Sequence, residues 1–271
     1  MLEKNQKLGE ILNGMDRVMV AFSGGIDSAF VLKRAEQELG ASNVLAVVVA
    51  SELFRNEEFE GAVQLAEKMG VPVHQTEIKE LEQEEIAANT PESWYYSKKL
   101  LYTHLNQLAE KMGYAYVLDG MIMDDVDDFR PGLKARTEAG VRSVLQEAKL
   151  YKREIRALAK EIDVPVWDKP ASCSLASRIP YGTILDKQKI YQVDEAEKFL
   201  IKLGFNMVRV RHHGEIARIE VLPEKMNGII EYREKIDLKF KSLGFSYISI
   251  DLNGYRTGSM NEVLPDQTIV G

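Results

Sequence analysis

The sequence contains only one cysteine, Cys173, among its 271 residues. A single thiol excludes an internal disulfide, a CxxC pair and any metal site made only of cysteines from one chain. A lone cysteine is most often an inert apolar residue of the core. Composition therefore gives Cys173 no role by itself, and any function for it must be argued from the residues around it.

Basic residues are outnumbered by acidic ones, and long apolar runs are scarce. The chain has 35 Lys and Arg against 42 Asp and Glu, a formal net charge of −7 and a pI near 5.4. This excess of acid argues against a broad nucleic-acid-binding surface but allows a small basic pocket. The longest apolar run, Val44–Ala50, is too short to span a bilayer, and residues 1–7 lack the apolar core of a signal peptide. We expect a cytoplasmic protein without nucleic-acid or membrane partners.

A glycine-rich loop between a predicted strand and a predicted helix is the most informative feature that is present. Residues 18–22 form an apolar run typical of a buried parallel strand, and an amphipathic helical pattern runs up to Gly40. Between them lies Ser23-Gly24-Gly25-Ile26-Asp27-Ser28. A loop of this kind at a helix N-terminus presents backbone N–H groups and a positive dipole end to an anion. The sequence therefore predicts a phosphate site here.

The residue types of this loop fit a nucleotide with bound magnesium. Gly24 and Gly25 permit close approach of the backbone, Ser23 and Ser28 add hydroxyl groups, and Asp27 is suited to hold Mg²⁺ against phosphate oxygens. No Gly-Lys-Ser/Thr follows the glycines, so this is not a Walker A loop. It resembles the SGGxDS pyrophosphate loop (PP-loop) of ATP pyrophosphatases, enzymes that cleave ATP between the α and β phosphates.

Strands and helices alternate through the first part of the chain. Further strands are predicted at 44–49, 71–78 and 115–118, and helices at 57–69, 94–112 and 152–162. This alternation predicts an α/β fold with a parallel sheet, whose ligands lie at the carboxyl ends of the strands. Ser51 and Gly120 follow two of the strands, so we expect both at the ATP site. The acidic stretch 124–134 is predicted to be neither a strand nor a stable helix.

The rest of the chain has a different pattern. Asp168-Lys169-Pro170 is a predicted junction, which gives a PP-loop domain at 1–168 and a smaller α+β domain at 169–271. The predicted elements of the second domain are a helix at 186–203, strands at 207–212 and 216–221, a helix at 223–243 and a strand at 247–252.

Two groups of residues in the second domain are chemical candidates. Cys173 lies among several hydroxyl groups in a short segment that also contains Ser177 and Arg178. Arg209 and Arg211 fall on one face of a predicted strand, because side chains alternate along it. Together with Ser177 and Arg178 they would form a cradle for a phosphate. The alternative is a pair of solvent-exposed arginines on an edge strand.

Several short segments occur together in one known family. Besides the loop at Ser23, they are Ser51-Glu52-Leu53-Phe54, Pro91-Glu92-Ser93-Trp94-Tyr95-Tyr96, Asp119-Gly120-Met121, Arg130-Pro131-Gly132, Ala171-Ser172-Cys173-Ser174, Ser177-Arg178, Tyr181-Gly182 and Val208-Arg209-Val210-Arg211. With them the chain resembles the LarE family of ATP-dependent sacrificial sulfur transferases, within the PP-loop ATP pyrophosphatase superfamily. These enzymes make the precursor of the nickel-pincer cofactor of lactate racemase. The likeness runs from about residue 10 to about residue 260.

The resemblance implies a reaction on pyridinium-3,5-biscarboxylic acid mononucleotide that uses ATP and Mg²⁺. A substrate carboxylate is adenylated, the thiolate of Cys173 displaces AMP, and cleavage of the Cβ–S bond leaves a thiocarboxylate and dehydroalanine. The resemblance also implies that Trp94 stacks on the pyridinium ring, that Glu197 belongs to the active site and binds metal, and that the protein is a homo-oligomer, with a hexamer among its forms. A persulfide mechanism usually needs a second thiol. Sacrifice of Cys173 needs no second thiol, which agrees with the presence of a single cysteine in the sequence.

Three other classes of protein share parts of this pattern. A tRNA-thiolating or lysidine-forming enzyme would have the loop, but also a basic groove and usually paired cysteines. An amide-forming synthetase of the NAD synthetase type needs a source of ammonia and no cysteine. A non-catalytic AMP-binding module would keep Gly24 and Gly25 but needs neither Asp27 nor Cys173.

Overall fold

The computed structural model describes residues 1–126, 132–168, 173–256 and 258–263. These residues form two compact units. The first contains 1–80 and the described residues between 92 and 168, and the second contains 81–91 and the described residues between 173 and 263. The predicted division at 168/169 differs from this arrangement in residues 81–91, which pack with the second unit. No helix in the described ranges is long and apolar enough to cross a membrane.

Eleven α-helices occur in the described ranges. In chain order they are α1 (Leu2–Asn13), α2 (Ile26–Leu39), α3 (Asn56–Lys68), α4 (Glu84–Ala87), α5 (Ser93–Met112), α6 (Gly132–Ala139), α7 (Val144–Glu147), α8 (Lys152–Glu161), α9 (Lys187–Lys202), α10 (Met226–Glu231) and α11 (Arg233–Ser242).

The first unit is built on a four-stranded parallel sheet in the order β3–β2–β1–β4. β1 (Val18–Ala21) pairs with β2 (Val44–Ala50) on one side and with β4 (Tyr116–Leu118) on the other, and β3 (Val73–Glu77) pairs with β2. The predicted α/β fold with a parallel sheet is confirmed. The order of strands reverses between β1 and β4, and ligands of open α/β sheets bind in the crevice at such a point.

Helices cover both faces of this sheet, which explains why β1, β2 and β4 are almost wholly apolar. Val18 and Val20 point into a core shared with Leu8 of α1 and Phe30 of α2. Met19, between them, points to the opposite face, where it packs with residues of α5 such as Tyr102. A strand buried on both faces has no need of alternating polar residues. The helices thus hold the carboxyl ends of β1, β2 and β4 in fixed positions.

The second unit has a mixed three-stranded sheet. β5 (Val208–His213) and β6 (Ile216–Val221) form an antiparallel hairpin, and β7 (Tyr247–Ile250) pairs in parallel with β6. Its core combines apolar residues of this sheet with others from α9 and α11, among them Leu200 and Phe240. Segment 81–91 is joined to this unit by hydrogen bonds. Leu185 N donates to Ala87 O at 2.8 Å, and Gly182 N donates to Asn89 O at 2.8 Å.

Two predicted elements differ from the structure. The helix expected at 223–243 is a 3₁₀ turn followed by α10 and α11, with a break at Tyr232. Gly228 weakens α10, and the Tyr232 ring packs edge-on against Phe205 at a centroid distance of 6.1 Å. The stretch 124–134 was expected to be irregular, but α6 starts at Gly132. Ala135 of that helix is 1% exposed in the core beside α5, so tertiary packing overrides the weak local pattern.

Three groups of sequence-predicted residues lie outside the described residues. They are Arg130-Pro131 from one family segment, Lys169-Pro170 from the predicted junction, and Ala171-Ser172 immediately before Cys173.

Candidate active site

The glycine-rich loop follows β1 and opens α2, as the sequence predicts. α2 begins at Ile26, and its N-cap residue, Gly25, supplies no side-chain hydrogen bond to the first N–H groups of the helix. The loop is shaped by its two serines. Ser28 Oγ donates to Gly25 O at 3.1 Å, Ser23 N donates to Ser28 Oγ at 3.3 Å, and Gly25 N donates to Ser23 Oγ at 3.4 Å. The arrangement presents a helix N-terminus to an incoming anion.

Two glycines are required here by close contact of backbone with neighbouring atoms. Gly24 has φ of +69°, and a Cβ atom at this position would lie 2.9 Å from Ala62 Cβ in α3. Gly120, just after β4, would bring a Cβ atom to 2.8 Å from Ser28 N. Any side chain at either position would push the loop away from its neighbours. Gly120 therefore lies directly against the loop, in the crevice between β1 and β4.

Asp27 offers one free carboxylate oxygen. Oδ2 accepts a hydrogen bond from Lys152 Nζ at the start of α8, at 2.5 Å. Oδ1 is buried and has no hydrogen-bond partner among the described residues. Burial raises the pKa of Asp27 above its ordinary value, and the hydrogen bond and charge of Lys152 oppose that rise. A buried, unpaired oxygen of this kind fits a cation that arrives with the substrate.

The single free oxygen of Asp27 is compatible with magnesium. No group of three or more His, Cys, Asp or Glu side chains that could hold a metal occurs in the described parts of the chain. Mg²⁺ commonly takes only one or two protein carboxylates and completes its shell with water and substrate phosphates. One free oxygen beside a phosphate loop is consistent with that mode of binding.

Two other predicted residues lie in the first unit. Ser51 follows β2; its Oγ accepts a hydrogen bond from Leu53 N at 3.1 Å and donates one to the carboxylate of Glu80. Trp94 is half-buried in the first turn of α5. The predicted ATP residues thus all lie at the carboxyl ends of β1, β2 and β4.

In the second unit, Cys173 is exposed, and its backbone is held by Arg178. The guanidinium Nη1 of Arg178 donates to Cys173 O at 3.4 Å, to Ser174 O at 3.1 Å and to Ser177 Oγ at 2.7 Å. The contact is with the main chain of the cysteine segment. Arg178 is itself 3% exposed, so this anchor belongs to the buried interior of the unit.

Glu197 is fully buried in α9, although apart from the family resemblance its helical pattern is that of an ordinary surface glutamate. Its Oε1 accepts from Arg178 Nε at 3.0 Å and from Val210 N at 2.9 Å, and its Oε2 accepts from Arg178 Nη2 at 3.2 Å. These bonds position Arg178. A metal ion bound by Glu197 would have to compete with them, and the metal role stays a prediction.

Arg209 and Arg211 share a face of β5, as predicted, but their environments differ. Arg211 is 8% exposed and forms a two-bond ion pair with Glu220, at 2.9 and 2.7 Å; its Nη1 also donates to Ser177 O at 2.7 Å. Arg209 is half-buried, with its guanidinium 5.3 Å from the centre of the Tyr255 ring. Two arginines that look alike in sequence therefore have different surroundings.

A cavity of about 140 Å³ lies within the second unit. Its lining includes Ser177, Arg178, Arg211, His213, Arg218 and Arg256. Three of the four predicted cradle residues thus come together, while Arg209 does not line the cavity. Each of the four arginines also has an acidic partner, so the cavity is rich in donors without a large excess of charge.

The different surroundings of the two arginines lead to a stability prediction. Arg211→Ala leaves the fully buried Glu220 with only part of its compensation, and removing one partner of a buried pair costs about 3–5 kcal/mol. Arg209 forms no ion pair with any residue that the structure describes, so Arg209→Ala should cost less than about 1 kcal/mol. Urea unfolding of both variants measures the difference. Equal unfolding midpoints would show that the Arg211–Glu220 pair contributes nothing to stability.

Sequence analysis did not identify two residues near the candidate site, Lys152 and Glu80. Lys152 lies 125 residues from Asp27 along the chain. Glu80 lies in a charged stretch that has the composition of surface loop, yet it is 1% exposed. No local pattern marks either residue, because both act through contacts that only the folded chain creates.

Comparison with known proteins assigns the chain. A family model described as NAD synthase matches residues 6–100. The chain is 51% identical over 261 residues to a pyridinium-3,5-bisthiocarboxylic acid mononucleotide synthase of Lactiplantibacillus plantarum, covering 96% of this chain and 95% of that protein. It is 38% identical to an uncharacterized protein of Synechocystis, covering 97% and 99% of the two chains. A glutamine-dependent NAD(+) synthetase of Aquifex aeolicus matches at 41% over 69 residues, 26% of this chain and 12% of that one.

The family-model match over residues 6–100 includes the loop and the first three strands. The long matches include both units, and they confirm the resemblance that the sequence motifs indicate. With about half of its residues identical over nearly its whole length, the chain belongs to the family of pyridinium-3,5-bisthiocarboxylic acid mononucleotide synthases, within the PP-loop superfamily.

Proposed function

We propose that this protein inserts sulfur into pyridinium-3,5-biscarboxylic acid mononucleotide at the expense of ATP, and that the sulfur comes from Cys173. The observation that carries the proposal is the 51% identity to a relative named for synthesis of the bisthiocarboxylic acid product. The product would be a precursor of the nickel-pincer cofactor of lactate racemase. An exposed thiol that is the only one in the chain supports a protein-derived sulfur.

The first step activates a carboxylate. A substrate carboxylate oxygen attacks the α-phosphorus of ATP, the bond to the bridging oxygen breaks, and pyrophosphate leaves. The resulting acyl-adenylate converts a poor electrophile into one with a good leaving group. The first N–H groups of α2 and the hydroxyl groups of Ser23 and Ser28 bind the departing pyrophosphate. Mg²⁺ held by Asp27 Oδ1 would neutralise charge on that group.

The second step transfers sulfur. The thiolate of Cys173 attacks the acyl carbon, a C–S bond forms, and AMP leaves with its electron pair. A base then removes the Cα proton of Cys173, the Cβ–S bond breaks, and its electrons stay on sulfur. The products are a thiocarboxylate and dehydroalanine, and no external oxidant or reductant is needed. Arg178 contributes by holding the backbone of the cysteine segment.

Recognition of the substrate is assigned to residues of the cysteine segment and to the arginines of β5. The substrate carries two carboxylates and a phosphate, and the guanidinium groups of Arg178, Arg209 and Arg211 and the hydroxyl of Ser177 suit such anions. Trp94 is proposed to stack on the flat pyridinium ring.

Arg209→Ala tests whether this residue contributes to the cradle. The variant should bind the mononucleotide at least about tenfold more weakly, because loss of one partner from a desolvated charge pair costs roughly 2–5 kcal/mol. Affinity for ATP should stay the same. Titration calorimetry with each ligand measures both values. Unchanged affinity for the mononucleotide would leave Arg209 as a structural residue that packs on Tyr255.

The function is tested by incubating the purified protein with ATP, Mg²⁺ and the biscarboxylic acid mononucleotide. We expect pyrophosphate release that depends on the mononucleotide, together with one thiocarboxylate per protein molecule. The match to the NAD synthase model favours amide synthesis as the alternative. Such an enzyme would require ammonia, form an amide and turn over repeatedly. A tRNA-thiolating enzyme would show activity only with tRNA.

The predicted homo-oligomer and the expected lack of nucleic-acid partners remain predictions. Size-exclusion chromatography with light scattering measures the first, and a gel-shift titration with tRNA measures the second.

A further inference from the structure

A buried carboxylate next to the proposed ATP site has no place in the reaction described above. Glu80 lies three residues after β3 and is 1% exposed. Its Oε2 accepts a hydrogen bond from Ser51 Oγ, and its Oε1 accepts one from Ser97 Oγ in α5. Its backbone N donates to Glu52 Oε2 at 3.0 Å. The carboxylate thus ties the end of β2 to α5.

The hydrogen bonds around Ser51 fix the direction in which its hydroxyl can act. A serine hydroxyl has one proton and two lone pairs. The hydroxyl of Ser51 donates its hydrogen bond to the Glu80 carboxylate, and one of its lone pairs accepts a hydrogen bond from Leu53 N at 3.1 Å. Within the described residues no third partner uses the remaining lone pair. Ser51 Oγ can therefore accept one further hydrogen bond but has no proton left to donate.

This polarity decides which part of a nucleotide Ser51 can bind. Phosphate oxygens are acceptors at neutral pH, so they cannot form a hydrogen bond with a hydroxyl whose only proton is already donated to another group. The nucleoside of ATP carries donors: the 6-amino group of adenine and the 2′ and 3′ hydroxyls of ribose. Ser51 lies at the end of β2, which is the strand next to β1. Phe22, directly after β1, donates its backbone N–H to Val47 O of β2 at 2.9 Å. A triphosphate on the loop after β1 leaves the nucleoside free to extend toward β2.

We propose that Ser51 accepts a hydrogen bond from a donor group of the ATP nucleoside, and that Glu80 is the positioning residue that keeps the serine in this acceptor state. The inference rests on the proposed ATP site and deepens it. Loss of Glu80 frees the Ser51 proton, so the hydroxyl can rotate and its preference for a donor disappears. Ser97, on the other oxygen of the same carboxylate, holds Glu80 but does not contact Ser51 in any bond described above.

The test compares the affinities of four nucleotides, measured by titration calorimetry with Mg²⁺ present. ATP is compared with purine riboside triphosphate, which lacks the 6-amino group, and with 2′-deoxy-ATP and 3′-deoxy-ATP. The wild-type protein should bind one of the three analogues roughly 5- to 10-fold more weakly than ATP, as expected for one lost hydrogen bond. The analogue that loses affinity identifies the donor. In Ser51→Ala the same analogue and ATP should bind equally well.

Ser97→Ala is the matched control, because it deletes a hydroxyl bound to the same carboxylate and should keep the discrimination. Glu80→Gln should weaken ATP binding, and the double variant Ser51→Ala/Glu80→Gln should bind ATP no more weakly than Ser51→Ala alone. If Glu80 had a merely structural role, the losses of ATP affinity in the two single variants would add in the double variant.

Three results would overturn the inference. They are equal wild-type affinity for all four nucleotides, an equal loss for every nucleotide in Ser51→Ala, and additive losses in the double variant. If the wild-type protein failed to bind ATP itself, the proposed function would fail and the inference with it. Equal binding of the analogues beside normal binding of ATP would overturn the inference alone.

Discussion

After one reaction with ATP, Mg²⁺ and the biscarboxylic acid mononucleotide, the chain should have lost the mass of one hydrogen sulfide. Cys173 is the only cysteine, so a cysteine sulfur delivered by the protein can come from no other residue. The reaction removes the thiol proton, the sulfur atom and the Cα proton of Cys173, which together equal one hydrogen sulfide, and leaves dehydroalanine at position 173. Intact-protein mass spectrometry measures the loss, and peptide mapping locates it. The reaction should stop after one sulfur per chain.

Two variants separate the steps. Cys173→Ala should still release pyrophosphate, because adenylation precedes attack by sulfur, but it should form no thiocarboxylate. Cys173→Ser should form none either, since its hydroxyl carries no sulfur. Repeated turnover by a protein of unchanged mass would rule out sacrifice of Cys173, and would return the choice to amide synthesis or an external sulfur donor.

The second large effect concerns Asp27. Asp27→Asn should slow pyrophosphate release by at least about 100-fold, which corresponds to ~2.7 kcal/mol of transition-state stabilisation, because the neutral amide binds Mg²⁺ poorly. The rate at saturating ATP, measured across a range of Mg²⁺ concentrations, gives the effect. Glu36→Gln, which removes one acidic charge from the same helix at a half-buried ion pair with Lys33, should behave as the wild type. A rate near the wild-type value in Asp27→Asn would remove this residue from the mechanism.

The same variant should be at least as stable as the wild type. Burial raises the pKa of Asp27, so the folded protein holds the proton more tightly than the unfolded chain does. The stabilisation from this group is present below the pKa of the unfolded chain and is lost as the pH rises through the higher folded pKa. At pH 7 the ionised carboxylate therefore costs stability, and a neutral amide avoids that cost. A thermal midpoint for Asp27→Asn equal to or above that of the wild type is expected.

Local patterns were enough to predict the loop and the class of fold. β1, the glycines and α2 are contiguous in sequence, and each has a clear signal: an apolar β-branched run, a loop with the right spacing and a 3.6-residue period. The parallel sheet follows from alternating elements, since parallel neighbours need crossover connections. For these features the information lies within a window of about 20 residues.

Other features depend on contacts between distant parts of the chain. The Arg178–Glu197 pair lies inside the second unit, although the sequence shows only a helix with one more acidic residue. Lys152 reaches Asp27 from another helix, and Glu80 is buried by hydroxyl groups that come from a strand end and from α5. Period and composition describe which face of an element is apolar. They do not say which polar side chains will meet, and that decides the chemistry of a site.

The placement of segment 81–91 has a consequence for recombination among relatives. The second unit is made of two stretches of chain, and their fit includes side chains: Asn89 Nδ2 donates to Ile179 O at 3.1 Å and to Pro180 O at 3.0 Å, while Ile86 is 2% exposed. A chimera made by one crossover near residue 170 would join 81–91 from one parent to 173–263 from the other. Exchange of this unit between homologues therefore requires that both stretches be transferred from the same parent.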